Sequence, residues 1–186
     1  LGPLEQSKPW NTNGIDGVSK FLRKYWRLFF NRKNEFIVTD ESPSENELKI
    51  LHQTIKKVEN DIDRYSFNTS VSHFMICVNE LSSLDCNKRS ILEPLTLIMS
   101  PFAPHITEEI WHLLGHEESI VHATFPAFDE QYIQEDSFEY PVSVNGKLRT
   151  KIKFELDASR EYMEEEVLKS DVIRKWLGGK PPRKII

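Results

Sequence analysis

The sequence predicts a mainly α-helical chain, a four-helix bundle followed by a small α+β domain, and three observations carry that expectation. Between residues 14 and 114 apolar side chains recur at steps of three and four, the helical period. From Tyr140 to Phe154 they alternate instead, the period of strands. An acidic stretch carrying Pro126 separates the two regimes. The expected organisation is therefore a lead-in over 1–13, a helical bundle over 14–116, an acidic linker over 117–139 and a small α+β domain over 140–186.

Taken in order, Ser7 to Thr12 is polar and carries Pro9, which reads as a loop before a helix covering Gly14 to Arg32. On that helix Lys20, Arg23, Lys24 and Arg27 fall within an arc of about 100°. Ile15, Val18, Phe21, Leu22, Tyr25, Trp26, Leu28 and Phe29 fill the remainder, so one face is expected to be buried and the other to form a short cationic ridge. Asn34 to Glu47 is a connector in which Ser44 caps the next helix and Glu47, three residues on, completes a capping box. The second helix repeats Leu48, Leu51, Ile55, Val58, Ile62 and Tyr65, the seam of a helix packed lengthwise against others. A third, Asn68 to Leu84, turns Val71, Phe74, Met75, Val78 and Leu81 inward, and Asp85 to Asn87 breaks it. A fourth begins near Lys88 with Ile91, Leu92, Leu95, Ile98 and Met99 inward. Pro101 and Pro104 interrupt it, because proline lacks the amide a helix interior requires, and it restarts as His105 to Leu114 before stopping at Gly115.

The strands turn around Asn145-Gly146. A two-residue loop would place Val142 and Val144 on one face with Lys147 and Arg149, whereas an odd-membered loop groups Val142 with Leu148, Thr150, Ile152 and Phe154. The second arrangement separates apolar from charged side chains, so a three-residue loop with Gly146 in the left-handed conformation and a bulge is expected. Lys147, Arg149, Lys151 and Lys153 then line the opposite face. Ser159 starts a glutamate-rich helix, and the chain closes on Gly-Gly, Pro-Pro and a basic-apolar tail.

With 186 residues the chain is long enough to bury a core of its own. It starts at Leu1 rather than Met, which suggests an excised or processed piece, and no apolar run approaches the ~18 residues of a membrane span. Cys77 and Cys86 are the only cysteines, which favours free thiols in a reducing cytoplasm over a disulfide framework. The formal net charge of -5 conceals segregation: Gly17 to Lys33 holds six basic residues and no acid, Glu117 to Glu139 seven acids and no base, and the stretch from Tyr140 onward eleven basic residues against seven acids. An acidic body with basic segments can still bind a polyanion locally.

Several strings resemble one family. Gly2-Pro3-Leu4-Glu5-Gln6-Ser7-Lys8-Pro9-Trp10 resembles the segment leading leucyl-tRNA synthetases out of their catalytic domain, and Phe21-Leu22-Arg23-Lys24-Tyr25-Trp26-Arg27-Leu28 the first helix of their tRNA-binding domain. Pro101-Phe102-Ala103-Pro104-His105-Ile106 with Glu108-Glu109 and Trp111 is similar to a PFxPHxxEExW signature shared by leucyl, isoleucyl and valyl synthetases. Val144-Asn145-Gly146-Lys147-Leu148-Arg149 resembles the hairpin of the small C-terminal domain of bacterial leucyl enzymes. The matches run in family order along nearly the whole chain, and the first and last favour leucine over the valyl or isoleucyl alternative.

The resemblance implies an anticodon-binding-type bundle and a C-terminal domain that together grip the body and elbow of tRNA(Leu), without reading the anticodon. It implies that the parent attaches leucine to tRNA using ATP and magnesium, while this segment, with neither a HIGH-like nor a KMSKS-like string, has no catalytic site and no cofactor. The first 13 residues become the junction with the catalytic domain, and the C-terminal domain is truncated, since family members continue past Arg183-Lys184-Ile185-Ile186. A cytoplasmic monomer with no membrane association is expected.

The candidate tRNA contacts are Lys20, Arg23, Lys24 and Arg27 on the first helix, Lys147, Arg149, Lys151 and Lys153 on the hairpin, and Arg174, Lys180, Arg183 and Lys184, beside Lys175, near the end. Each set has a plainer reading, a solvated helix face or the lysines that keep an edge strand from aggregating. Trp26 and Trp111 follow apolar spacing and are expected in the core, whereas Trp10 is expected to seal the junction. His112, His116 and His122 near Glu108 raise a zinc reading, but no cysteine pair completes a ligand set and no metal is expected. Gly178-Gly179-Lys180 lacks the spacing of a phosphate loop, and Glu164 to Glu166 reads as a solvated helix face. A helical interaction module without an RNA role is the remaining alternative.

Overall fold

A computed structural model describes residues 2, 3, 6, 7, 9, 12–133, 137–155, 158–178 and 182, in two compact units, Leu1–Ile133 and Gln134–Ile186. Among its described residues the first unit contains five α-helices, α1 (Ile15–Phe29), α2 (Glu45–Asp63), α3 (Phe67–Ser83), α4 (Arg89–Met99) and α5 (Pro104–Leu113). Helix α3 packs on α1 and α2, and α4 packs on α2 and α5. The expected fourth helix is broken after Met99 and restarts with Pro104 at its first turn, where the missing amide costs nothing. Phe102 in the break packs edge-on against Phe74, with ring centroids 5.1 Å apart.

The core is built from the periodic positions. Leu51, Ile55 and Val58 of α2, Phe74, Val78 and Leu81 of α3, and Ile91, Leu92, Leu95, Ile98 and Met99 of α4 are buried. The seam of α2 ends before Tyr65, expected to be inward; it lies beyond the helix with φ 55° and is 68% exposed. A buried polar link ties α1 to α4. The Thr96 hydroxyl donates to the Leu92 carbonyl at 2.7 Å, so the Tyr25 hydroxyl, 2.7 Å away, is the donor to Thr96. Burial pushes the Tyr25 phenol far above its ordinary range.

The first helix stops three residues short of Arg32, because Phe30 is extended and pairs antiparallel with Phe36. Ile37 then donates to the Phe29 carbonyl, and Thr39 pairs with the strand-like segment at Lys88. The connector between α1 and α2 is thereby pinned across the start of α4. At the other end of α1 the expected apolar face is partly open: Ile15 and Val18 are exposed.

The capping box of α2 forms as its sequence requires, with the Ser44 side chain accepting from Glu47 and the Glu47 carboxylate accepting from the Ser44 amide at 2.7 Å. Glu47 is buried, and Lys88 lies 3.8 Å from its other oxygen. Burial alone would raise its carboxyl, but hydrogen bonds from Ser44 and Cys86 and the Lys88 charge hold it below the ordinary carboxylate value. The folded value being depressed, its stabilisation is complete above the unfolded-state value and is lost as pH falls through the folded one. Glu47→Ala should cost about 1 kcal/mol at pH 7, within the range for a lost cap. Urea titrations at pH 7 and in acid check it: the gap between the two proteins should narrow in acid.

The segment expected to be an acidic linker, 117–139, belongs to the first unit as far as Ile133. Ile120 is buried at the head of a single 3-10 turn, Ile120–His122. A second such turn, Glu130–Tyr132, packs on α2. There Tyr132 stacks on His52, the Asp129 amide donates to His52 Nδ1 at 3.0 Å, and Lys56 pairs with Glu130 and lies over the Phe128 ring. Apolar residues scattered among the acids, Phe128 and Tyr132 among them, explain the difference: a charge run need not be solvated along its whole length.

The second unit is a two-stranded antiparallel hairpin, β1 (Ser137–Val144) and β2 (Lys147–Glu155), with helices α6 (Arg160–Lys169) and α7 (Asp171–Leu177). Phe154 and Ile173 are its buried centre, with Tyr140 and Tyr162 edge-on to Phe154. Both units together give the mainly α architecture with a small α+β end that the periodicities predict. Among the described residues no helix is long and apolar enough to cross a membrane.

Candidate nucleic-acid interface

Helix α1 presents its ridge as expected. Lys20, Arg23, Lys24 and Arg27 are all exposed, on the side opposite the buried Tyr25, Leu28 and Phe29. Their surroundings differ. Arg23 donates to Ser19 Oγ at 3.1 Å, Lys24 to Asn79 Oδ1 on α3 at 2.6 Å, and Arg27 to the Asn31 carbonyl. Lys20 makes no comparable contact among the described residues. No cation from Lys20 to Lys33 is paired with a carboxylate among the described residues.

In the hairpin the Asn145-Gly146 loop has two residues rather than three, with φ 53° and 74°. Both are left-handed, the pairing that matches strand twist and that asparagine and glycine tolerate. The parity that an odd loop would have set comes from a bulge further along: Val142 faces Thr150 while Ser143 faces Leu148, leaving Arg149 as the extra residue. Thr150, Ile152 and Phe154 thus lie with Val142 and Tyr140, as expected, but Leu148 falls opposite Ser143 and is exposed.

The stripe of four cations is correspondingly broken. Lys151 and Lys153 share a face opposite Pro141 and Glu139, and Lys151 pairs with Glu139 at 3.0 Å. Lys147 faces Val144 instead. Arg149 leaves the row, its guanidinium lying 3.5 Å from the Trp176 ring centroid on α7. A stacked guanidinium is part of the packing of its unit, so Arg149→Ala and Trp176→Ala should be non-additive. A double-mutant cycle in urea is expected to return a coupling of about 0.5–1 kcal/mol.

Arg174 is exposed and donates to the Leu168 carbonyl at 3.2 Å; Lys175 is exposed beside it. Lys180, Arg183 and Lys184 lie outside the described residues, as does Trp10. Trp26 is half-buried, stacked on Phe30 with centroids 4.4 Å apart, and Trp111 is buried under the His116 ring at 3.5 Å, so both are used in packing. Two of the histidines that raise a zinc reading meet separate carboxylates: His112 lies 3.2 Å from Glu108 and His116 3.2 Å from Glu93. No group of three potential metal ligands occurs among the described residues. Glu165 and Glu166 both pair with Lys169 along the exposed side of α6. Cys77 and Cys86 are free and buried, and burial first of all pushes both thiols up to about 12.

Two features escaped the sequence. Arg32 and Lys33, counted in the basic run but expected at the helix end, stand exposed on a separate turn. Trp176, itself half-exposed on the short α7, gave no periodic signal for its partner at the bulge.

Residues 46–164 match the family described as the anticodon-binding domain of tRNA ligase. Over the whole chain the sequence is 59% identical to a leucine–tRNA ligase of Cytophaga hutchinsonii and 54% identical to one of Bacteroides thetaiotaomicron, and it spans 20% of the length of each. Among solved structures it is similar to a LeuRS of Agrobacterium radiobacter K84 in a ternary complex with tRNA and LeuAMS. That match has a TM-score of 0.71 and 26% identity, covering 98% of this chain and 26% of the other.

Proposed function

Since the chain belongs to the anticodon-binding domains of tRNA ligases, we propose that it grips the body of tRNA(Leu) and so positions the acceptor end for the catalytic part of a longer polypeptide. The observation that carries this reading is the row of exposed cations from Lys20 to Lys33, free of carboxylate partners among the described residues, in a chain whose net charge is -5. Such a row binds phosphates without reading sequence, which suits a module that orients rather than reacts. Orientation is itself a large contribution, because holding a substrate correctly replaces an encounter with an intramolecular step.

In this reading Lys20, Arg23, Lys24 and Arg27 contact sugar-phosphate on one unit, and Lys147, Lys151, Lys153 and Arg174 do so on the other. Lys180, Arg183 and Lys184 extend the second set. Leucine is the assigned amino acid because the relatives named above are leucine enzymes along the full chain. ATP and magnesium serve the catalytic part, and no residue of this chain is assigned to them. Its setting is a reducing cytoplasm, consistent with two buried thiols, and it acts as a monomer.

Binding of the chain to leucine tRNA, and to valine and isoleucine tRNAs, across a salt series tests the proposal. Several phosphate contacts give a log–log slope of about -0.7 to -0.9 per contact. Tighter binding of leucine tRNA supports the assignment; preference for valine or isoleucine tRNA overturns the leucine part, and no salt-dependent binding overturns the RNA role.

A further inference from the structure

The six cations between Lys20 and Lys33 are not equivalent in the fold. Arg23, Lys24 and Arg27 each already donate to an oxygen of this chain, at Ser19, Asn79 and Asn31 respectively. Arg32 and Lys33 are exposed and make no side-chain hydrogen bond or ion pair among the described residues. They sit on a turn that is built rather than loose. Asn31 Oδ1 accepts from the Lys33 amide at 2.9 Å and from the Glu35 amide at 3.0 Å. The Asn31 side-chain amide holds the Glu35 carboxylate at 2.6 Å, and the Asn34 amide closes on the Asn31 carbonyl at 3.0 Å.

One asparagine therefore does two things. It fixes the backbone under both cations, and it holds the Glu35 carboxylate, the acid of the same turn, at its own side-chain amide. Arg27 joins the turn to the helix through the Asn31 carbonyl, so turn and ridge form one continuous element. The Phe30–Phe36 bridge closes the base of the turn, and the Trp26 ring stacks on Phe30 beneath it.

We infer that the Asn31–Glu35 turn is a phosphate-binding element, with Arg32 and Lys33 as its two contacts to the sugar-phosphate backbone of a folded RNA, and that it contributes more affinity than the mid-helix pair Arg23 and Lys24. The physical reason is freedom of approach. Arg23 and Lys24 are each held to a neighbour on this chain, so a phosphate must take their remaining donors in the orientation that neighbour sets, whereas one reaching Arg32 or Lys33 displaces only counterions and water. The inference rests on the RNA-binding reading above and names a site for it.

The test compares two variants that remove the same number of charges, Arg32→Ala with Lys33→Ala and Arg23→Ala with Lys24→Ala, in binding to a leucine tRNA transcript across a salt series. Circular dichroism and the urea midpoint monitor folding. The turn variant is expected to flatten the log–log slope by about 1.4 to 1.8 and to lower affinity roughly 25- to 60-fold at 0.1 M salt. The helix variant should lose less affinity than the turn variant at the same salt. An unchanged slope in the turn variant, or an equal or larger loss in the helix variant, overturns the inference while leaving the RNA-binding reading intact. Absence of salt-dependent binding by the unmutated chain overturns both, and is distinguishable because it appears before any substitution is made.

Discussion

Replacing all six cations from Lys20 to Lys33 with alanine lowers the affinity of the chain for leucine tRNA by roughly a thousandfold at 0.1 M salt, on the basis of about four lost phosphate contacts. The fold should survive. All six side chains are exposed, none supports the core, and alanine is the best helix former for the four that lie within α1. The hydrogen bonds of Arg23, Lys24 and Arg27 are surface contacts worth little to stability. The same change at Lys151 and Lys153 should have a smaller effect, because Lys151 is already paired with Glu139. Filter binding and circular dichroism on the same samples separate lost affinity from lost structure.

Phe74→Ala is expected to destabilise the first unit by about 3–5 kcal/mol, the range for emptying a buried aromatic site. Phe74 is 1% exposed, lies in the middle of α3, and meets Phe102 edge-on in the break between α4 and α5. Its loss therefore loosens a helix and the point where the fourth helix is interrupted. A domain with a total stability of about 5–15 kcal/mol loses a large share of it. Phe74→Leu keeps most of the volume and should cost about 1.5 kcal/mol or less. Urea denaturation followed by tryptophan fluorescence checks both, since Trp26 and Trp111 report on this unit.

The helices were legible because burial imposes their period locally. Leu51, Ile55 and Val58 fall at steps of three and four and are buried, and Ser44 with Glu47 announces the start of α2 before any tertiary contact is known. What sequence could not supply is where distant groups meet. Nothing near Tyr25 names Thr96 as its partner, and nothing in the acidic stretch says that Tyr132 stacks on His52. The hairpin shows the limit most clearly. Side-chain alternation required one extra residue, but parity cannot say whether it enters at the loop or at Arg149, and the left-handed pair Asn145-Gly146 places it at Arg149. The candidate interface divides in the same way. The ridge of α1 followed from its wheel, whereas the separation of Arg32 and Lys33 onto their own turn depends on Phe30 leaving the helix to pair with Phe36.

The measurement that tests the central claim most directly is hydroxyl-radical footprinting of leucine tRNA bound to the chain, run beside chemical probing of its anticodon bases. The account predicts protection of sugar-phosphate on the body of the tRNA, lost in the variant without the six cations, while the anticodon bases stay as reactive as in free RNA. Protection confined to the anticodon bases, or protection that persists when those cations are gone, would contradict it.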